Sequence, residues 1–145
     1  MFQSFATIFP LLISLGLGLL VGIERTCAGK SAGMRTYALV AVSSTLLILI
    51  STHIVSYYGA HNVDVLRIAA SVVTGIGFLG AGLIIFRDDH VTNLTTAAGI
   101  WFTAGIGIAV GFGMYIEAVL ATVIAIFIFY VLAYLERMIR IRLGK

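Results

Sequence analysis

Charge is the scarcest property of this sequence: six Asp or Glu and nine Lys or Arg make up 10% of its 145 residues, against roughly 25% in an average globular chain. Scarcity on that scale excludes a water-soluble globular domain. Cysteine occurs once, at Cys27, which excludes an internal disulfide and a cysteine-based metal cluster. Proline also occurs once, and Pro10 lies near the start of the first apolar run, where helices tolerate it. No Ser/His/Asp set, paired acid and base, or HExxH pattern is found, so we expect no enzyme and assign no cofactor or catalytic residue. No basic residue precedes the first apolar run, which lacks the charged start of a signal peptide and is expected to stay in the mature protein.

What the chain has is apolar length. Hydrophobic residues form 61% of it and its mean hydropathy is +1.13, which marks an integral membrane protein with little room for a separate soluble domain. The expected fold is all-α and polytopic, one domain over residues 1–145, with spans at about 5–23, 36–58, 65–86, 94–110 and 115–135. Residues 65–86 would measure about 33 Å as a helix at ~1.5 Å per residue, close to a hydrocarbon core of about 30 Å. Asp64 is positioned to cap that third span, and Gly111 and Gly113 to turn the chain between the fourth and fifth.

Basic residues set helix number and orientation. With five spans and the N-terminus outside, Arg25, Lys30, Arg35, Arg87, Arg137, Arg140, Arg142 and Lys145 all fall on the inner side and only Arg67 falls outside. That is the distribution expected of a cytoplasmic C-terminus. Fusing 94–135 into one span would put the basic tail opposite the basic first loop. The net charge of +3 is therefore a topology signal, and no nucleic-acid partner is expected. A parallel two-hairpin repeat is also legible, since GLGLLVG then AGMRTYALV (16–22, 32–40) resembles GIGFLGAG then TNLTTAAGI (75–82, 92–100).

Two motifs mislead. GIGFLG at 75–80 fits the dinucleotide pattern, but it lies inside an apolar span where a pyrophosphate could not be solvated. AGKS at 28–31 ends like a phosphate-binding loop, but the first glycine of that pattern would fall on Glu24. The third-span glycines, Gly75, Gly77, Gly80 and Gly82, admit two readings. One is helix packing, with Ala70, Thr74, Gly77 and Ala81 forming a small-residue stripe, joined by Ser14, Gly18 and Gly22 in span one and by Ala98, Gly105 and Ala109 around Phe102 in span four. The other is a locally unwound helix whose freed backbone lines an ion or substrate site.

Ionisable residues at span ends are interfacial anchors or paired counter-ions. Arg67 and Glu117 both lie just inside an outer helix end and are placed to neutralise each other. Glu24, Asp88 and Asp89 are weak candidates for a hydrated divalent ion, which typically takes one or two carboxylates; a solvated turn is the plainer role of Asp88-Asp89-His90. Thr95 and Thr96 are placed to cap span four. Trp101 is too deep for an interface anchor, so its indole is expected to find a partner inside the bundle. Cys27, His53 and His61 are assigned no site.

GLLVGIER (18–25), AGMRTYALV (32–40), RIAASVVTGIGFLGAGLI (67–84) and LTTAAGIWFTAGIGIAVGFGMY (94–115) together resemble the MgtC/SapB family of bacterial inner-membrane proteins. The resemblance implies a five-span inner-membrane module linked to magnesium limitation and stress adaptation, whose members regulate other membrane proteins. It marks Glu24, Arg25, Gly33, Arg35, Thr36, Arg67, Gly75, Gly77, Gly80, Gly82, Thr95, Thr96 and Trp101. Many members carry a soluble C-terminal domain; this chain, ending at Lys145, is expected to be the membrane module alone. Thr95 and Phe102 stand where virulence-associated members tend to have Asn and Cys, so a virulence role does not carry over. The turn RDDHVTN replaces a commonly glycine-rich, basic one.

The expected function is a non-enzymatic membrane regulator that binds other inner-membrane proteins and itself through small-residue faces, in contact with membrane lipid. The alternative is a small-ion or solute carrier, magnesium included.

Overall fold

The computed structural model describes residues 2–59, 64–87 and 90–142. Five helices are long and apolar enough to cross a membrane. They are α1 (Phe2–Cys27), α2 (Met34–Tyr58), α3 (Val65–Leu83), α4 (Leu94–Gly111) and a continuous fifth, in which α5 (Tyr115–Phe127) passes through a π turn (Ile128–Leu132) into α6 (Ala133–Arg142). The chain is thus the five-span, all-α membrane protein that its hydropathy indicates.

Central to the bundle is α4, which packs on α1, α2, α3 and α5. Its sequence has little amphipathicity because it is apolar nearly all round, as a helix enclosed by others can be. The packed residues are small: Ala97, Gly99, Thr103, Ala104, Gly107 and Gly111 are all buried. A methyl group added at Gly107 would lie 2.3 Å from the Ala41 carbonyl oxygen, and one at Gly111 would lie 2.6 Å from Ile48 Cβ. Beside Gly107, Thr45 Oγ1 donates to the Gly107 carbonyl at 2.7 Å. The α1–α2 hairpin uses the same device, with Gly18 against the Tyr37 carbonyl and Ala41, and Gly22 against Met34. Ser14, on the same face, is fully buried and donates to the Leu11 carbonyl. The span-one stripe read from the sequence is therefore a packed seam.

The span-four stripe is not. Ala98 and Gly105 are exposed, and the seam runs instead through Gly99, Thr103, Gly107 and Gly111. At about 100° per residue the two sets lie about 150° apart, on nearly opposite faces of the helix. In α3 the expected stripe of Ala70, Thr74, Gly77 and Ala81 does share a face, but all four residues are exposed. The buried line of α3 is Val72 and Gly80, with Ile76 and Leu83 partly buried beside the core. The glycines of the two hairpins' first helices differ: Gly18 and Gly22 of α1 press on the α2 backbone, whereas in α3 only Gly80 comes near one, at the Ala97 carbonyl.

Helix ends follow local chemistry. Asp64 caps α3 as expected, its Oδ1 accepting from the Leu66 N–H at 2.9 Å. Gly29 and Gly113 adopt positive φ and close α1 and α4, with Lys30 N–H donating to the Arg25 carbonyl and Met114 N–H to the Ala109 carbonyl, the Schellman pattern. Helix α3 ends at Leu83, three residues short of the expected Phe86. Ile84 turns extended, and Ile85–Arg87 pairs antiparallel with His90–Thr92 as strands β1 and β2. The β-branched Ile84, Ile85, Val91 and Thr92 favour that conformation. Beyond the expected Leu135, the fifth span continues as helix, and Glu136, Arg137, Arg140 and Arg142 are all exposed.

Replacing Gly107 by Leu is expected to cost about 1–3 kcal/mol or prevent folding, since the Ala41 backbone cannot retreat. Gly75→Leu, at a position with no atom within 4 Å, should leave unfolding in detergent nearly unchanged.

Candidate functional site

The end of the bundle where α1 meets the α1–α2 connection holds its one strongly buried charge among the described residues. Arg25, in the last turn of α1, is 2% exposed. Its Nε donates to Glu24 Oε2, and Glu24 is itself only 15% exposed. A second guanidinium nitrogen, Nη2, donates to the Phe129 carbonyl at 3.4 Å, and Cζ lies 3.8 Å above the centroid of the Phe129 ring. Phe129 belongs to the π turn. A π turn spaces its bonds i→i+5 and is commonly found at functional sites, and here it offers both a carbonyl and a ring to one cation.

Around this pair sit Tyr37, Thr96 and Gly99. The Tyr37 hydroxyl donates to the Thr96 carbonyl at 3.4 Å. Gly99 makes room for it, since a methyl group there would lie 2.5 Å from the Tyr37 hydroxyl and 2.7 Å from Phe129 Cζ. Four helical segments therefore meet at one buried polar cluster. In a desolvated setting a cation over an aromatic ring contributes about 2 kcal/mol or more, and an unpaired buried charge is costly.

Two further side chains fasten the same end. Thr26 Oγ1 donates to the Gly22 carbonyl at 2.9 Å and accepts from the Met34 N–H at 3.1 Å. Gly33 is needed there, because a methyl group would approach that oxygen to 2.4 Å. Asn93, at φ 66°, begins α4; its Nδ2 donates to the Leu83 carbonyl at 3.1 Å and its Oδ1 accepts from Ser31 Oγ at 3.1 Å. One residue thus joins the end of α3, the start of α4 and the α1–α2 connection.

Of the residues singled out from the sequence, the structure gathers Glu24, Arg25 and Thr96 into this cluster and gives Gly33 a packing role beside it. The others are dispersed. Arg35, Thr36 and Thr95 are exposed at the same end, and α4 has no side-chain cap, so the expected capping by Thr95 and Thr96 is not what starts it. Trp101 is 50% exposed and faces out of the bundle, contrary to the expected internal partner, because the packed face of α4 runs through Gly99 and Thr103. Arg67 and Glu117 are both exposed, and no ion pair joins them among the described residues. Their helices pack mainly on different neighbours, α3 on α4 and α2 and α5 on α4 and α1.

Gly80 lies 3.7 Å from the Ala97 carbonyl, counted from an added methyl, whereas Gly75, Gly77 and Gly82 have no atom within 4 Å. Helix α3 is unbroken through all four, so the unwound-helix reading is overturned. Asp88 and Asp89 lie outside the described residues, as does His61. Of the suggested ion ligands, Glu24 is engaged by Arg25, and no group of three His, Cys, Asp or Glu side chains is assembled among the described residues. Sequence reasoning missed Tyr37, Gly99, Phe129, Thr26 and Asn93. Only Asn93 carried a usable signal, a capping-type residue directly before an apolar run.

The profile of the MgtC family matches residues 11–138. MgtC of Salmonella typhimurium is 44% identical over 121 residues, 83% of this chain and 49% of its own length. YhiD of Escherichia coli K12 is 48% identical over 103 residues, 66% of this chain and 46% of its own. SapB of Bacillus subtilis is 39% identical over 117 residues, 74% and 50% respectively. The chain spans about half the length of the curated relatives it matches. No solved structure matches it.

Removing Glu24 alone, as Glu24→Ala, is expected to cost about 3–5 kcal/mol by leaving Arg25 buried and unpaired. The double variant Glu24→Ala/Arg25→Met should recover much of that loss, and unfolding of the four-member mutant cycle in detergent measures the coupling.

Proposed function

The chain belongs to the MgtC family, and from that premise we propose that it is a non-enzymatic protein of the bacterial inner membrane, tied to magnesium limitation and stress adaptation, that binds and regulates other membrane proteins. The N-terminus is assigned to the outside and the C-terminus to the cytoplasm, because Arg25, Lys30, Arg35, Arg87 and the arginines of α6 gather at one end.

The observation that carries this reading is the outward face of α3. Each glycine costs a helix roughly 1 kcal/mol against alanine, and close helix contact is what makes glycine useful in lipid. In α1 and α4, Gly18, Gly22, Gly107 and Gly111 all meet a neighbouring backbone or side chain of this chain; Gly75, Gly77 and Gly82 meet none. Gly77 with Ala70, Thr74 and Ala81 leaves a smooth, exposed strip beside the protruding Phe78, suited to a transmembrane helix of a partner or of a second copy. Gly77→Leu is expected to abolish crosslinking to that partner or copy in native membranes under magnesium limitation. Its unfolding should stay within about 0.5 kcal/mol of the parent, as at an open surface position. Unchanged crosslinking would sink the reading. Gly18→Leu is no test of association, because Gly18 packs inside the chain.

A second reading, a small-ion or solute carrier, draws support from the buried Glu24–Arg25 pair, since charges inside spans often mark ion pathways, and from YhiD, which bears a provisional name as a magnesium transporter. Protein in liposomes would then show a cation flux altered by Glu24→Gln, and silence across common cations would remove this reading.

A further inference from the structure

The outer surface of the α1–α2 hairpin carries a groove of about 830 Å³, apolar along its whole length except at one end, where Arg35 stands. We propose that this groove is a binding site for one anionic phospholipid of the inner leaflet, with an acyl chain along α1 and α2 and the phosphate at Arg35.

Dimensions and chemistry both fit that occupant. Ile8 and Leu19 bound the groove on α1, a distance of about 16 Å at ~1.5 Å per residue. Half of a hydrocarbon core of about 30 Å is nearly the same length. The volume falls within the roughly 300–1,000 Å³ of sites that hold small molecules. Ala38 forms a buried floor, while Leu12, Leu15 and Leu39 stand exposed as rims.

Charge supplies the headgroup. Arg35 is exposed and makes no hydrogen bond or ion pair among the described residues. Glu24, the nearest carboxylate in sequence, is already engaged by Arg25. Lys30, in the connection just before α2, is also exposed at this end, so the surroundings favour a negative partner.

A second helix fits the groove poorly. Helices in lipid associate where small residues let backbones close up; Gly18 and Gly22 of α1 are spent on α2, and the open Gly16 is not part of the groove lining. The groove shows leucine rims instead, which interdigitate with a flexible chain.

Purified full-length protein in detergent would be titrated with phosphatidylglycerol and phosphatidylcholine of matched acyl chains, and bound lipid counted by native mass spectrometry. One phosphatidylglycerol should be retained in preference to phosphatidylcholine. Arg35→Gln should weaken that retention about fivefold, the effect of roughly one interfacial cation, while Arg35→Lys keeps most of it. Arg137→Gln, away from the groove, should change nothing. Equal retention of the two lipids, an unaltered Arg35→Gln, or an equal loss in Arg137→Gln would overturn the site. So would Leu12→Cys crosslinking efficiently to a second copy, since that would place protein in the groove.

Discussion

Where α2 crosses α4, the Ala41 carbonyl occupies space that any side chain at position 107 would need. In water such contact would be a by-product of burying apolar surface. In lipid it has to be the cause, because hydrocarbon solvates leucine as well as another helix does, and association depends on how closely backbones approach. Gly107 and Gly111 permit that approach on α4, and Gly18 and Gly22 permit it on α1. Thr45, donating to the Gly107 carbonyl, adds a directional bond at the narrowest point. The remaining helices take positions around this core, with α4 enclosed and α3 held along one narrow line.

Given that scaffold, the Arg25 cluster is its most demanding occupant. A guanidinium 2% exposed in a membrane protein needs a counter-charge and acceptors held in place. Glu24 gives the first, and the π turn gives a carbonyl and a ring from a helix over a hundred residues away in sequence. Arg25 therefore connects the first span to the last. That contact tightens the end of the bundle where Asn93 and Thr26 also act.

The five spans were legible because their signal is bulk hydropathy, and hydropathy survives any arrangement of neighbours. Asp64 as a cap and Gly113 as a turn were legible for a similar reason, since each acts within a few residues. What could not be read is which face of a helix meets which neighbour. Glycine looks the same in sequence whether it faces a backbone, as Gly107 does, or open space, as Gly77 does, and the prominent cluster proved to be the unpacked one. Arg25 and Glu24 stood out as charges at a span end, but Phe129 did not, because its part is played by a carbonyl in an irregular turn. Trp101 was misplaced by assuming that depth in a span means enclosure in the bundle. The end of α3 at Leu83 was misplaced because Ile84 to Phe86 are as apolar as the helix before them.

The π turn at Ile128–Leu132 has a geometric effect downstream of itself. Such a turn accommodates one residue more than the α-helix would, and one residue is about 100° of rotation. Everything beyond Ala133 is therefore rotated relative to the face that α5 presents to α4. The arginines of α6 do not inherit the phase of the span that carries them. The irregular turn sets it, and the same few residues that hold Arg25 also fix the compass bearing of the basic helix that follows.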